Sequence, residues 1–139
     1  MRVRKSRLII DTNLWISYLL GLDFGSLTAS IRRRSVVLLF SKELLSEFIS
    51  VAGKSKFRRY FSVEELNELI SFLKYFSELI LVHSLVDICR DKKDNFILAL
   101  ALDGEASHLL TGDHDLLVIG RFGKTNIQSL REYLQVRKR

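Results

Sequence analysis

Short apolar runs of strand length alternate with segments of helical periodicity along this chain, and this alternation restricts the possible folds more than any other feature. The clearest run is Val36-Val37-Leu38-Leu39-Phe40, which is fully apolar, so we expect it to be buried on both faces of a sheet. Further strands are expected at 8–10, 79–82 and 107–111, with a short fifth strand at 126–128. Helices are expected between them, at 12–20, 24–34, 42–52, 63–76, 93–103 and 129–136.

Strands separated by helices imply the α/β class, and we expect a three-layer α/β/α sandwich with a central parallel sheet of four to five strands. The 139 residues are enough for one hydrophobic core and too few for two. We therefore expect a single domain spanning residues 1–139. The sequence has 47% hydrophobic and 27% charged residues, which is ordinary for a globular domain.

Cysteine usage and hydropathy argue against a secreted or membrane-bound protein. Cys89 is the one cysteine, so no intrachain disulfide can form. Basic residues open the chain, but the apolar stretch that follows them, Leu8-Ile9-Ile10, is far shorter than the roughly twenty residues of a membrane span. We expect a cytoplasmic protein without membrane association.

The net charge of +6 suggests a polyanionic partner. Basic residues cluster in three segments, namely Arg32-Arg33-Arg34, the stretch with Lys54, Lys56, Arg58 and Arg59, and Arg137-Lys138-Arg139. Such segments could hold nucleic acid at the rim of an acidic centre. Each of them could equally be a solvated surface.

Acidic residues follow two of the expected strands. Asp11 ends the first strand, and Asp113 and Asp115 follow the fourth. The carboxyl ends of parallel strands are where ligands collect in open α/β sheets. Asp11 could instead be a helix N-cap, and a turn or cap could explain either Asp113 or Asp115, but hardly both.

Two further carboxylates belong to expected helices. Glu47 borders the apolar stripe of its helix, although a glutamate at such an edge is often simply a surface residue, whereas Glu43 turns further toward solvent. Asp94 forms an i, i+3, i+4, i+7 set with Ile97, Leu98 and Ala101, in the middle of an apolar face. The alternative for Asp94 is a capping box with Asp91 as the N-cap.

Together Asp11, Glu47, Asp94 and Asp113 indicate a metal site. Two carboxylates about 5 Å apart repel by roughly 3 kcal/mol at an effective dielectric constant near 20. Four converging carboxylates are therefore untenable at neutral pH without a cation or protonation. Oxygen ligands of this kind suit Mg²⁺ or Mn²⁺, which activate water and stabilise phosphoryl charge.

Four motifs, in this order along nearly the whole chain, resemble the PIN domain family, and in particular its VapC-like branch of toxins from toxin–antitoxin systems. The motifs are Asp11-Thr12-Asn13, the segment from Ser41 to Phe48 that contains Glu47, the segment from Cys89 to Asn95, and the segment from Leu110 to Leu117. One departure is Lys92, where that branch often has proline; it affects the geometry of a loop and not a ligand.

The resemblance implies an endoribonuclease that cleaves single-stranded RNA with Mg²⁺ or Mn²⁺. Its partners would be RNA, a cognate antitoxin protein and a second copy in a homodimer. Carried over to this sequence, the metal ligands and catalytic residues would be Asp11, Glu47, Asp94 and Asp113. Asp115 would be an auxiliary acid at the metal, and Thr12 and Asn13 would support the ligands.

Two other functions remain open at this point. Asp113-His114-Asp115 superficially matches the acidic pair of an aspartyl-phosphate phosphotransferase or phosphatase, although such enzymes usually carry that pair after the first strand. A non-catalytic Mg²⁺-binding α/β domain is the second alternative. Zinc-type ligand spacing and a glycine-rich phosphate loop are both absent from the sequence.

Overall fold

The computed structural model describes residues 5–137, which build one six-stranded sheet with helices around it. The strands are β1 (Arg7–Ile10), β2 (Val37–Phe40), β3 (Ser77–Leu79), β4 (His108–Leu110), β5 (Arg121–Phe122) and β6 (Thr125–Gln128). The helices are α1 (Thr12–Leu19), α2 (Leu27–Arg32), α3 (Lys42–Ala52), α4 (Val63–Phe76), α5 (Lys92–Asp103), α6 (His114–Leu117) and α7 (Leu130–Arg137), and a 3-10 turn spans Ser55–Phe57.

The strand order across the sheet is β3-β2-β1-β4-β6-β5. All neighbouring strands are parallel except β5, which runs antiparallel to β6. The prediction of a three-layer α/β/α fold with a parallel central sheet is confirmed. The two-residue β5 adds a sixth strand, which the sequence did not predict because so short a strand leaves no periodicity.

Strands β1 and β2 are buried on both faces. Leu8, Ile9 and Ile10 of β1 are fully buried, as are Leu38 and Leu39 of β2. Such continuous burial is what an apolar, non-alternating strand sequence requires, because each face of a parallel sheet needs a helical layer over it. The core is thus centred on β1, whose carboxyl end carries Asp11.

The third strand was predicted at 79–82 but is found at Ser77–Leu79, so this prediction is wrong in position. It forms the edge of the sheet and, in the described part of the chain, pairs only with β2, whose last residue, Phe40, lies opposite Leu79. The backbone N–H of Ile80 still donates to the Phe40 carbonyl, at 2.8 Å. Beyond Ile80 none of the described strands lies beside the apolar run to pair with it.

Helix boundaries follow local capping chemistry. The Ser41 hydroxyl accepts a hydrogen bond from the Leu44 N–H at 3.0 Å, as expected for the N-cap of α3, and Gly53 ends this helix. Helix α2 is shorter than the predicted 24–34. It begins only at Leu27, because Gly25 adopts a positive φ of 60° and its N–H donates to the Asp23 carboxylate.

Within residues 5–137, none of the helices is long and apolar enough to cross a membrane. Of the C-terminal basic segment, Lys138, Arg139 and the side chain of Arg137 lie outside the described part of the structure.

Candidate functional site

Asp11 and Asp113 emerge side by side from neighbouring strands. Strands β1 and β4 are parallel, with Ile10 level with Leu110. The Asp11 N–H donates to the Leu110 carbonyl at 2.9 Å, which fixes the backbone just past both strand ends. The topology thus brings together two carboxylates that are 102 positions apart in the sequence.

Thr111 connects these two positions. Its hydroxyl donates to Asp11 Oδ2 at 2.8 Å and accepts from the Asp113 N–H at 3.0 Å, and the residue is fully buried. The sequence analysis did not single out Thr111. The one feature of the sequence that could have pointed to Thr111 is its position, since it is a polar residue that follows an apolar strand and directly precedes Gly112-Asp113.

Asp94 enters the same site from the first turn of α5. Asp91 is the N-cap of this helix and accepts from the Lys93 N–H at 2.9 Å, while Asp94 lies against the carboxyl group of Asp113. Asp94 is only 8% exposed, within an apolar face that includes the buried Ile97. The expectation that Asp94 lies in the middle of an apolar helix face is therefore confirmed.

Asp115 joins the cluster from α6. Carboxylate oxygens of Asp94, Asp113 and Asp115 all lie within 4.8 Å of one another, close enough to share one cation. Asp115 is exposed, and the Arg90 guanidinium lies 3.1 Å and 3.3 Å from its two oxygens. The Asp113 carboxylate also accepts from the Asp115 N–H at 2.9 Å, so Asp113 caps the short α6.

Glu47 lies across the same cavity, on α3. It is partly buried, and Lys93 Nζ lies 3.4 Å from its Oε1, whereas Glu43 is exposed as predicted. Lys93 supplies the only ammonium group that lines the cavity among the described residues. The sequence analysis did not identify it, because a lysine at a helix start carries no distinguishing pattern.

The cavity has a volume of about 200 Å³ and opens to solvent. Six of the seven predicted functional residues line it, namely Asp11, Thr12, Asn13, Glu47, Asp94 and Asp113. Thr12 is buried, with its hydroxyl 3.5 Å from Asp11 Oδ1, and Asn13 is exposed. Asp115 lies beside this wall rather than in it.

Burial and mutual repulsion disfavour the ionised forms of the central carboxyls. Burial, followed by the charges of Asp113 and Asp91, raises the pKa of Asp94 to about 6. Burial is also the main cause that raises the pKa of Asp11, reinforced by the charges of Asp113 and Glu47 and opposed by the Thr111 hydroxyl and the Asn13 N–H.

This donor set fits a small divalent cation. Every converging ligand group is a carboxylate oxygen, and within residues 5–137 no cationic side chain pairs with the buried Asp94. A hard cation would offset the repulsion that raises these pKa values, and carboxylates with open positions for water are the ligands that Mg²⁺ and Mn²⁺ favour. The cavity can also admit water or a phosphate group beside them.

One expected feature of the site is not found. The segment Arg32-Arg33-Arg34 precedes β2 by two residues, so it lies at the amino edge of the sheet, opposite the edge that carries Asp11. The Arg32 guanidinium lies 4.9 Å from the ring centre of Phe72, and that of Arg34 lies 5.4 Å from the ring centre of Phe76. The expectation that this segment rims the acidic site is therefore wrong, because parallel strands send their two ends to opposite edges.

Comparison with known proteins supports the resemblance noted in the sequence. A search of curated proteins gave no match. A family model described as "PIN domain" matches residues 7–115, which is more than half of the chain and includes every carboxylate of the site. The chain therefore belongs to the PIN domain family, whose members are generally nucleases.

Proposed function

We propose that this protein is an endoribonuclease that cleaves single-stranded RNA with Mg²⁺ or Mn²⁺. The observation that carries the proposal is the convergence of Asp11, Asp94 and Asp113 at one sheet edge, with Glu47 across the cavity. Membership of the PIN domain family supports nuclease chemistry. RNA as the substrate rests on the resemblance to VapC-like toxins and on the net charge of +6.

In this proposal Asp11, Asp94 and Asp113 hold the metal, with Glu47 and Asp115 as further ligands. The bound metal would supply a water of lowered pKa and neutralise charge on the scissile phosphate. Thr111 holds the Asp11 carboxylate in one orientation, and Thr12 supports it from the other oxygen. Lys93 holds Glu47 at the far wall of the cavity.

The biological role that we propose is that of the toxin of a toxin–antitoxin pair, with the whole chain acting as one nuclease domain. This role is supported by the resemblance of the four sequence motifs alone. Its direct test is growth arrest on expression, relieved by co-expression of a neighbouring antitoxin gene.

The activity is tested by incubating the purified protein with a mixed pool of single-stranded RNA and with Mn²⁺, Mg²⁺ or excess chelator. We expect cleavage with the metals and none with the chelator. Asp94→Asn should abolish cleavage, because it removes a buried anionic ligand. Asp87→Asn is the matched control, since Asp87 is exposed and is not among the residues lining the cavity. Equal cleavage in chelator would refute the mechanism.

The aspartyl-phosphate alternative is distinguished by an acyl-phosphate mimic. Such chemistry needs a carboxylate free to attack, whereas Asp113 caps α6 and Asp115 is paired with Arg90. Beryllium fluoride should therefore neither stabilise the protein nor compete with Mn²⁺. A tight beryllium fluoride complex would favour the phosphotransferase.

A further inference from the structure

A second cavity, which we call the α7 groove, lies beside the acidic cavity at the same edge of the sheet. It has a volume of about 480 Å³, within the range of roughly 300–1,000 Å³ that is usual for small-molecule sites. Leucine side chains from α1, from the loop that follows α1 and from α7 form its apolar wall, namely Leu14, Leu22, Leu130 and Leu134. An open apolar groove of this kind is typical of a surface that takes a ligand.

The α7 groove and the acidic cavity share a wall. Thr111, whose hydroxyl holds the Asp11 carboxylate, also lines the groove. On α1, Asn13 lines the cavity and the next residue, Leu14, lines the groove. Gly112 contributes bare backbone to the groove, because a Cβ added there would meet no atom within 4 Å apart from its neighbours in the chain. A flat ring can therefore lie against this wall.

The spacing of the strands gives the distance between the two cavities. Strands β1, β4 and β6 end level with one another, since Leu110 pairs with Ile10 on one side and with Gln128 on the other. Neighbouring strands are about 4.8 Å apart, so Asp11 and the start of α7 are separated by roughly 10 Å. This distance suits a nucleotide whose phosphate lies at the acidic cavity and whose base reaches the groove. The position therefore favours RNA over a segment of a partner protein.

Three exposed polar side chains also line the α7 groove, namely Asp23, Arg131 and Gln135. Within residues 5–137, neither Asp23 nor Arg131 belongs to an ion pair. Asp23 Oδ1 accepts a hydrogen bond from the Gly25 N–H at 2.7 Å, which fixes the carboxylate while leaving lone pairs on both oxygens for a ligand. The Arg131 guanidinium offers a polyanion a cationic contact on this side of the acidic cavity.

We propose that the α7 groove binds the base of an unpaired guanine nucleotide next to the scissile phosphate, so that the protein cleaves RNA beside guanine. The leucine side chains contact the faces of the base. The Asp23 carboxylate accepts hydrogen bonds from its Watson–Crick edge, and Arg131 pairs with a neighbouring phosphate. This inference rests on the proposed ribonuclease activity and adds to it the base that the site selects.

The Asp23 carboxylate determines which base fits. On its Watson–Crick edge guanine presents two adjacent donors, the ring N–H and the exocyclic amino group, which match the two oxygens of a carboxylate. Adenine and cytosine present an amino group beside a ring nitrogen that accepts, and uracil presents one N–H between two carbonyls. In each of these three bases the second carboxylate oxygen would face an acceptor. A bidentate contact of this kind discriminates between bases by roughly 5- to 150-fold.

The first test maps the cleavage sites in a random pool of single-stranded RNA with Mn²⁺, by sequencing the ends of the fragments. We expect guanine at one position beside the cut, favoured over the other bases by roughly 5- to 150-fold. Asp23→Asn should remove this preference, because the amide keeps the hydrogen bond with the Gly25 N–H but replaces one acceptor by a donor. Asp87→Asn is the matched control, since it neutralises an exposed aspartate that does not line the groove, and it should retain the preference.

Arg131→Ala separates the phosphate contact from the base contact. We expect this variant to bind every RNA more weakly, with a slope of log affinity against log salt that is shallower by about 0.7. The preference for guanine should remain, because the Asp23 carboxylate is unchanged. Loss of the guanine preference in a folded Arg131→Ala variant would contradict the assignment of base selection to Asp23.

A second test does not depend on cleavage. Guanosine monophosphate is titrated into the full chain in excess chelator, and backbone amide NMR signals are followed. We expect shifts in residues 22–25 and 129–135 that adenosine monophosphate does not produce and that Asp23→Asn abolishes.

The two tests distinguish failure of the guanine site from failure of the nuclease. These shifts in a protein that cuts no RNA would refute the proposed activity but support guanine recognition in the α7 groove. Cleavage without a base preference, or a preference that survives in Asp23→Asn, would overturn the guanine assignment. If in addition neither nucleotide shifts the groove residues, the groove meets a segment of a partner protein instead.

Discussion

At the scale of single residues, one hydroxyl group organises the site. Thr111 donates to Asp11 and accepts from the Asp113 backbone, so it sets the distance between two carboxylates that repel each other. Because it is fully buried, water cannot replace either hydrogen bond. Thr111 is therefore as informative a target for mutation as the carboxylates.

We expect Thr111→Val, which keeps the shape but removes the hydroxyl, to lower the free energy of unfolding by about 1–3 kcal/mol, since it leaves buried polar groups unpaired. Metal affinity should fall by roughly 10–100-fold, the usual effect of losing a group that orients a ligand. Thr111→Ser is the control, because it retains the hydroxyl. The measurements are denaturant unfolding in chelator and calorimetric titration with Mn²⁺. Equal Mn²⁺ affinity in the valine and serine variants would contradict the orienting role.

The pKa of Asp94 predicts a pH dependence of stability. It is about 6 in the folded protein, against an ordinary value of 3.8 in an unfolded chain, so between these two pH values the folded state binds more protons. Ionised Asp94 therefore destabilises the metal-free fold above about pH 6, by at most about 3 kcal/mol, and this penalty disappears as the pH falls toward 4.

In chelator at pH 7.5, Asp94→Asn should have a higher melting temperature than the wild type, and the difference should shrink toward zero by pH 4. Burial raises the pKa of Asp103, but the hydrogen bonds that it accepts from Ser84 and His83 outweigh burial and lower the pKa below its ordinary value. The stability that these hydrogen bonds supply is lost in acid in both proteins, so it cancels in the comparison. Added Mn²⁺ should raise the melting temperature of the wild type alone. Parallel pH profiles of the melting temperature for the two proteins would show that ionised Asp94 does not destabilise the fold.

At the scale of elements, α5 serves two parts of the molecule at once. Its first turn delivers Asp94 to the cavity, while the next residue, Asn95, accepts hydrogen bonds from the N–H groups of Ile88 and Cys89. Asp103, at the end of the helix, accepts hydrogen bonds from the N–H groups of His83 and Ser84, so α5 holds the segment of residues 79–88 at two points. The helix thus connects the acidic cavity to the segment of residues 79–88.

Replacing Asn95 with alanine tests this coupling. We expect faster amide hydrogen exchange in residues 80–90, because the N–H groups of Ile88 and Cys89 lose their acceptor. Mn²⁺ affinity should also decline, since the first turn of α5 loses a constraint beside Asp94. Asp87→Ala is a suitable control because Asp87 is exposed on the same segment. Unchanged exchange in residues 80–90 would mean that packing of Val82 and Val86 suffices.

The elements that the sequence predicts well are those with strong local patterns. Helix α4 has the predicted bounds, with a capping box between Ser62 and Glu65, and α5 differs by one residue. Strand β3 was misplaced because its end depends on where β2 stops, which is a long-range condition. The acidic positions are recognisable because carboxylates at strand ends and in apolar stripes are unusual, whereas Thr111 and Lys93 gain their meaning only from tertiary contacts.

At the scale of the whole molecule, the arginines at positions 32–34 do not form a basic rim around the acidic cavity. The guanidinium groups of Arg32 and Arg34 lie over the rings of Phe72, Phe76 and Tyr75, at the edge of the sheet away from the cavity. Such contacts are worth roughly 0.5–1 kcal/mol at exposed sites. These arginines therefore have a structural role whether or not RNA reaches them.

Replacing Arg32, Arg33 and Arg34 together by alanine should leave the salt dependence of binding to a short single-stranded RNA unchanged. Each phosphate contact contributes roughly −0.7 to the slope of log affinity against log salt. An oligonucleotide of about five nucleotides at the cavity should not reach the opposite edge. The same variant should melt at a lower temperature, because it loses the contacts with aromatic rings. A slope reduced by about two units would restore these arginines to the RNA-binding surface.

The hydrogen bond between Asp11 and Thr111 closes a loop of 100 residues. During synthesis the chain therefore carries its first site carboxylate early but cannot complete the cavity until β4 and Asp113 have left the ribosome. We expect fragments that end before residue 108 to be inert toward RNA, even where they fold in part. The proposed ribonuclease activity can therefore appear only when translation of the chain is nearly finished.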